Sequence, residues 1–144
     1  MDIQKLSQAL TQEEAKKNHM YLDTVGKWTI GVGHNLTDKD ISDRAVQVIL
    51  EDDINDVVTI LNQKIPWWNN QDDVRQRVLA DMCFNMGWGN GLHGLSSFPH
   101  MLEFVRTKQY STAAQHGLDS HWAKQVGSRA TKLMKMMETG QDEV

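Results

Sequence analysis

The sequence predicts a mostly helical α+β fold with two lobes. Apolar residues recur at helical spacing along most of the chain, which contains only two prolines. A glycine-rich stretch at residues 19–36 interrupts this period, and one long helical period follows it. We therefore expect a small lobe built on a β-hairpin, a long connecting helix and a larger helical lobe.

A short helix is predicted at residues 2–14, where apolar residues recur at helical spacing: Ile3, Leu6 and Leu10. Residues 19–36 break that period and instead predict two short strands. A turn at Thr24–Lys27 would join the strands, because Gly26 can adopt a positive φ there. The first lobe should therefore contain a hairpin that follows directly on a helix.

The long connecting helix is predicted over about residues 43–64. Its apolar residues recur every 3.6 positions: Val46, Leu50, Ile54, Val57 and Leu61. Ser42 or Asp43 is a suitable N-cap. A helix of about 20 residues would be roughly 30 Å long.

The remaining sequence predicts a helical lobe. A helix from Asp72 or Asp73 should end at Gly87, and the glycine-rich loop "WGNGLHGL" follows it. Two shorter helices and a final apolar-faced segment ending at Gly140 complete the lobe. The expected organisation is a single domain, with these parts: small lobe 13–42, connecting helix 43–64, and helical lobe 65–144 joined by the N-terminal helix 2–14.

Net charge, cysteine count and the absence of long apolar segments argue against several classes of protein. The formal net charge of −4 argues against a nucleic-acid-binding protein, which usually has a basic face. The only cysteine, Cys83, cannot form an intrachain disulfide, and we expect it to be a buried apolar residue rather than a nucleophile. The N-terminus lacks the apolar segment of a signal peptide, and no run approaches the roughly 20 apolar residues of a membrane span. We expect cytoplasmic synthesis without stable membrane insertion.

Two carboxylates and a hydroxyl lie close together in the N-terminal quarter. Glu14 ends the first predicted helix, Asp23 ends the first strand, and Thr29 lies in the second strand. Two carboxyl groups in different environments can divide acid and base roles, and the Thr29 hydroxyl could hold a water molecule beside Asp23. From spacing alone, the favoured interpretation is not catalytic. In it, Glu14 is simply solvated, Asp23 forms a turn, and Thr29 is present because threonine favours β-strands.

Glycines and a histidine complete this block. Gly31 and Gly33 alternate with larger residues in the second strand, a pattern typical of close approach by a ligand or another backbone. His34 has no second ligand at metal-binding spacing, so we expect a structural histidine paired with Asp52 or Asp53. The stretch also lacks the spacing of a phosphate-binding loop. No metal or cofactor is expected.

Taken together, these residues resemble a known family. The pattern E-x8-D-x2-G-x2-T-x-G-x-G-H, starting at Glu14, is similar to the catalytic block of the phage-type lysozymes, glycoside hydrolase family 24. "DDVRQRVLADMCFNMG" resembles the central helix of that family, with Phe84 and Asn85 in its motif. "SHWAKQVGSRATKL" resembles its C-terminal segment, with Trp122 and Arg129 at matching positions. The resemblance covers nearly the whole chain.

The resemblance implies a muramidase with a lysozyme-like two-lobed fold and an active-site cleft. Such an enzyme hydrolyses the β-1,4 bond between N-acetylmuramic acid and N-acetylglucosamine in bacterial peptidoglycan. Glu14 would be the general acid, while Asp23 and Thr29 would position the attacking water. Gly31 and Gly33 would let the sugar approach the backbone. The resemblance also implies that the configuration at the anomeric carbon is inverted. In inverting enzymes, the two catalytic carboxyl groups, here those of Glu14 and Asp23, are expected to lie about 6.5–9.5 Å apart.

Other roles are also implied by the resemblance. Phe84 and Asn85 would contact substrate, although a helix-capping Asn85 is equally consistent with the sequence. His34, Trp122 and Arg129 would support the site. Trp122 would be structural, with a sugar-stacking platform as the alternative, and Arg129 would contact Glu14 to position it.

The chain also departs from the family pattern. Ala15 replaces a common glycine, the stretch after His34 is shorter, and the glycine-rich loop is longer and contains Trp88. Two alternatives remain: an inactive peptidoglycan-binding module and a lytic transglycosylase. A transglycosylase needs only a catalytic glutamate, so the presence of Asp23 and Thr29 argues against it. The favoured prediction is a monomeric phage endolysin that acts on the cell wall and reaches it through a holin-dependent membrane lesion.

Overall fold

The structure is a computed structural model that describes residues 1–143. The chain divides into two compact units, residues 1–49 and residues 50 onward, and each is described by itself below. Residues 1–143 form seven α-helices and one three-stranded sheet, which confirms the mostly helical α+β class. The assignment of the N-terminal helix to the helical lobe stays a prediction.

The first unit begins with helix α1, Ile3–Glu14. The side chain of Asp2 caps it by accepting a hydrogen bond from the Lys5 amide at 3.0 Å. The predicted helix at residues 2–14 is therefore confirmed to within one residue. None of the residues of α1 is buried.

A small antiparallel sheet follows α1 in the same unit. Its strands are β1 Lys17–Leu22, β2 Trp28–Gly31 and β3 His34–Asn35, in that spatial order. The predicted hairpin corresponds to β1 and β2. The two-residue strand β3 was not predicted, and it extends the hairpin to three strands.

The turn between β1 and β2 has the predicted position. The Asp23 amide donates to the Lys27 carbonyl at 2.9 Å, and the Gly26 amide donates to the Asp23 carbonyl at 3.1 Å. Gly26 has φ +80°, a conformation that favours glycine. The turn chemistry read from the sequence is therefore confirmed.

The long helix α2 covers Asp43–Lys64, as predicted. The Ser42 hydroxyl accepts a hydrogen bond from the Ala45 amide at 3.1 Å, which identifies Ser42 as the N-cap. A 3₁₀ helix at Pro66–Asn70 follows α2. Proline at the start of this segment prevents the α-helix from continuing.

Five helices form most of the second unit: α3 Asp73–Met86, α4 Pro99–Arg106, α5 Tyr110–Leu118, α6 His121–Val126 and α7 Ser128–Thr139. The side chain of Asp72 caps α3, which ends before Gly87 as predicted. The final apolar-faced segment, expected as one unit, consists of two helices. Gly127, at φ +58° and ψ −117°, separates α6 from α7. No helix within residues 1–143 has the length and apolarity needed to cross a membrane.

The hydrophobic core belongs to the second unit. All buried hydrophobic residues among residues 1–143 lie between Val57 and Met137. Helices α5 and α7 pack closely, since a Cβ atom added at Gly117 would lie 2.1 Å from the Met134 sulfur. Cys83 is 2% exposed, which confirms the prediction of a buried cysteine, and its burial raises the pKa of the thiol.

Arg75 on α3 forms hydrogen bonds to the C-terminal end of α7. Its Nε and Nη2 atoms donate to the carbonyls of Met137 at 2.8 Å and Glu138 at 2.9 Å. The guanidinium also lies 3.6 Å from the centre of the Tyr110 ring. A cation at a helix C-terminus stabilises it, because the last carbonyls carry partial negative charge.

Candidate active site

Glu14 is the last residue of α1, and its side chain is exposed. The next residue, Ala15, redirects the chain from the helix into β1 at φ +58° and ψ +138°. This conformation is normally adopted by glycine, because a side chain at positive φ crowds the backbone. The sequence departure at Ala15 therefore corresponds to a strained link directly after Glu14.

The Glu14 carboxyl group lies against Gly33, in the turn between β2 and β3. A Cβ atom added at Gly33 would lie 3.2 Å from both Cδ and Oε2 of Glu14. Gly33 has φ +68°, so both backbone conformation and space favour glycine there. Gly31 at φ +70° has no heavy atom within 4 Å of its added Cβ, so space beside its backbone is open.

Asp23 is half-buried, and its carboxyl group is held by the hairpin turn. The Oδ1 atom accepts hydrogen bonds from the amides of Val25 at 2.9 Å and Lys27 at 2.8 Å. Neither of these bonds uses Oδ2. The turn therefore fixes the orientation of the carboxylate and leaves its second oxygen as an acceptor.

Thr29 is 3% exposed, the lowest exposure in the first unit. Its hydroxyl donates to the Lys27 carbonyl at 3.0 Å. Because the single hydroxyl hydrogen is used in this bond, the oxygen is left as an acceptor. A water molecule bound to it would have to donate a hydrogen bond.

Lys27 links Asp23 to Thr29, and the sequence did not reveal this role. Its amide donates to the Asp23 carboxylate, and its carbonyl accepts from the Thr29 hydroxyl. The Lys27 side chain forms an ion pair with Asp38 at 3.1 Å. The link uses backbone atoms that every residue except proline has, so no side-chain pattern could have identified it.

His34 lies in β3, paired with Ile30 of β2. Its Nε2 atom is buried and has no hydrogen-bond partner among residues 1–143. The pairing with Asp52 or Asp53 expected from the sequence would join the two units and stays a prediction. Within the first unit, the register of β2 and β3 places His34 opposite Ile30.

In the second unit, Asn85 and Trp122 form a hydrogen bond. The Trp122 indole donates from Nε1 to Oδ1 of Asn85 at 2.9 Å. Trp122 is 6% exposed, and its ring meets the Phe98 ring edge-on at a centroid distance of 6.2 Å. The acceptor atom of Asn85 is thus occupied, while its amide hydrogens remain available for another acceptor.

Arg129 is bound to Asp81 on α3. Its Nε and Nη2 atoms donate to the same carboxylate oxygen, at 2.9 Å and 2.6 Å. Both side chains are about 40% exposed, which limits what this ion pair adds to the free energy of unfolding. The contact between Arg129 and Glu14 implied by the resemblance would join the two units and stays a prediction.

Phe84 faces a different cavity from that of Trp122. It is 45% exposed and lines a cavity of about 490 Å³, whose charged lining residues are Arg77, Asp81 and Arg129. Apolar residues of α2 and α3 complete the wall: Leu50, Ile54, Val57 and Ala80. Asn85 is not among the residues that line this cavity, so the two residues expected to contact substrate do not share it.

A larger cavity of about 580 Å³ lies beside Trp122. The glycine-rich loop contributes Leu92, which is 80% exposed, together with His93. Trp88 is half-buried and packs against the hydrophobic core. The tip of the loop, rather than its tryptophan, borders this cavity.

Comparison with known proteins identifies a matching family and several similar chains. The phage lysozyme family model matches residues 11–138. Two probable T4-type lysozymes of Dictyostelium discoideum are 28% and 25% identical, each over 96% of both chains. The pre-baseplate central spike protein Gp5 of Enterobacteria phage T4 is 25% identical over 94% of this chain and 28% of its own length. With a family match over most of its length, this chain belongs to the phage lysozyme family.

Proposed function

We propose that this protein is a muramidase that hydrolyses the β-1,4 bond between N-acetylmuramic acid and N-acetylglucosamine in peptidoglycan. The observation that carries the proposal is a pair of hydrogen bonds at the Lys27 backbone: its amide donates to the Asp23 carboxylate, and its carbonyl accepts from the Thr29 hydroxyl. These bonds leave one carboxylate oxygen and one hydroxyl oxygen as acceptors, one at the start of the hairpin turn and the other in strand β2 directly after it. Family membership supports the same class of reaction.

Glu14 acts as the general acid in this proposal. Cleavage of a glycosidic bond requires a proton on the leaving oxygen, and a carboxylic acid can donate it. The carboxyl group is exposed and rests on a glycine, so a sugar can approach it without meeting a neighbouring side chain at Gly33. The strained Ala15 and the glycine contact restrict where this carboxyl group can lie.

Asp23 and Thr29 position the attacking water. A water that donates one hydrogen to Oδ2 of Asp23 and the other to the Thr29 hydroxyl directs a lone pair away from both. Asp23 then accepts the proton that this water loses as it attacks the anomeric carbon. This is the arrangement of an inverting hydrolase, in which the acid and the base lie on opposite faces of the sugar.

Substrate contacts follow from atoms left available by the fold. Gly31 has open space beside its backbone, which suits the close approach of a sugar ring. Asn85 can donate its amide hydrogens to an acetamido oxygen or a hydroxyl, because Trp122 occupies only the Asn85 acceptor. Trp122 would position Asn85 rather than stack on the sugar. The endolysin role and holin-dependent release stay predictions.

Replacement of Glu14 by glutamine tests the assignment. We expect Glu14→Gln to lower the rate of peptidoglycan hydrolysis by about 10²–10⁴-fold or more, because an amide has no transferable proton. The melting temperature should remain unchanged, since the exposed side chain keeps its size. Activity would be measured by release of reducing ends from purified cell walls, with thermal unfolding of the same samples.

Glu13→Gln is the matched control. Glu13 is the neighbouring exposed glutamate on α1 and points about 100° away around the helix axis. It should keep wild-type activity. Normal hydrolysis by Glu14→Gln would remove Glu14 from the mechanism, and loss of activity only in Glu13→Gln would transfer the role to Glu13. Wall binding without any hydrolysis by the wild type would favour the inactive binding module.

A further inference from the structure

Four of the six histidines in the chain line one cavity. This is the cavity of about 580 Å³ beside Trp122, and its histidines come from four different segments: His93 from the glycine-rich loop, His100 from α4, His116 from α5 and His121 from α6. All four side chains are exposed. The proposed hydrolysis uses none of them.

Two of these rings lie at a separation that a shared metal ion can bridge. The ring centroids of His100 and His116 are 6.1 Å apart, with the ring planes at 41°. With a metal–nitrogen distance of about 2.1 Å, each centroid lies about 3.2 Å from the metal. Two rings on one metal are therefore separated by at most about 6.4 Å, and by about 5.2 Å at a tetrahedral angle.

The backbone holds this pair in place while the rings can rotate. His100 is followed by Met101, which is 1% exposed, and His116 is followed by the buried Gly117. The Phe104 ring lies 5.1 Å from the His116 ring and supports it. Because both imidazoles are exposed, core packing locks neither ring, and rotation about the side-chain torsions changes their separation.

We propose that His100 and His116 form a binding site for a transition-metal ion of the Zn²⁺, Ni²⁺ or Cu²⁺ class. Imidazole is a preferred ligand of these ions, whereas Mg²⁺ and Ca²⁺ require oxygen ligands. No group of three or more histidine, cysteine or acidic side chains in residues 1–143 is arranged to hold a metal. The site is therefore an open two-histidine site whose other positions take water or a ligand from the cavity.

Titration calorimetry of protein without a histidine tag tests this site. Ni²⁺ and, separately, Zn²⁺ would be added at one fixed, slightly alkaline pH, because metal binding by histidine depends on pH. We expect one saturable equivalent, with affinity at least about 10-fold lower in both His100→Gln and His116→Gln because each variant leaves a single imidazole. Mg²⁺ should give no saturable heat.

His19→Gln is the matched control, since His19 is an exposed histidine on β1 that does not line the cavity. It should bind metal as the wild type does. His100→Gln keeps the ring contact between Phe104 and His116, so it tests the site even if His116→Gln fails to fold. Equal affinity in His100→Gln and the wild type, or no saturable binding below about 1 mM, would overturn the proposal.

Discussion

The two units hold their important residues by different means. In residues 1–49, the only buried residue is Thr29, and the candidate catalytic groups are fixed by backbone hydrogen bonds and glycine contacts. In the unit that begins at Leu50, a continuous core of buried aliphatic, methionine and tryptophan side chains holds the helices. The chemistry proposed here thus belongs to a unit that contributes little hydrophobic burial.

This difference separates two kinds of sensitivity to mutation. Burial of apolar area is the main favourable contribution to folding, so core changes in the second unit should lower the free energy of unfolding. In the first unit, single atoms set the position of a carboxyl group, so small changes should alter the rate of hydrolysis. The comparison can be tested by measuring both quantities for variants of each unit.

The largest effect on stability is expected for Leu79→Ala. Leu79 is fully buried in α3, and its truncation should lower the free energy of unfolding by about 2–5 kcal/mol. Leu6→Ala on α1 is the control, because Leu6 is 43% exposed and should cost no more than about 0.5 kcal/mol. Urea unfolding measures both values. Equal losses would contradict the difference between the units.

A smaller effect is expected for Asn85→Ala. The substitution leaves the buried Trp122 indole without its acceptor, which should cost about 1–3 kcal/mol of unfolding free energy. Asn85→Asp, which retains an acceptor oxygen, should recover much of that stability while losing the amide donor proposed to contact substrate. An unchanged melting temperature in Asn85→Ala would show that the hydrogen bond is energetically unimportant.

Gly33→Ala should affect both stability and rate. The positive φ should cost about 1–2 kcal/mol, and the new methyl group would crowd the Glu14 carboxyl group. Gly26→Ala has the same backbone penalty without any heavy atom within 4 Å. Both variants should melt early, but only Gly33→Ala should show a reduced kcat. Similar kcat values would exclude a role for the glycine contact in placing Glu14.

The smallest effect is expected for Ala15→Gly, and it should be stabilising. Glycine relieves the strained φ of +58° but adds conformational entropy to the unfolded chain. Because the relief of backbone strain should exceed the entropic cost of glycine, the free energy of unfolding should rise by about 0.5–1 kcal/mol. Thermal unfolding measures it, and a lower melting temperature would mean that Ala15 is not strained.

Local features of the fold could be predicted from the sequence. The helix over 43–64 and the turn at Gly26 depend on periodicity and on a conformation available mainly to glycine. The strand β3 was missed because two residues are too short for an alternating pattern. The break at Gly127 was missed because the apolar period continues across it from Val126 to Ala130.

The sequence allowed us to predict which residues belong to the candidate site, but not which partners their side chains contact. Glu14, Asp23 and Thr29 stand at spacings that carry the family pattern. The hydrogen bond between Asn85 and Trp122 joins residues 37 positions apart, and the ion pair between Arg129 and Asp81 joins residues 48 positions apart. Helix packing determines which residues become such partners. A single sequence contains no local pattern from which these distant pairs can be predicted.

The most direct test of the account is the chemistry of the new chain end. Purified peptidoglycan would be digested in ¹⁸O-enriched water, reduced immediately with borohydride and examined by mass spectrometry. If Asp23 and Thr29 direct water to the anomeric carbon, each cleavage should give a reducing N-acetylmuramic acid end carrying one ¹⁸O, and Glu14→Gln should give almost none. An end with a 1,6-anhydro ring and no ¹⁸O would contradict hydrolysis and identify a lytic transglycosylase.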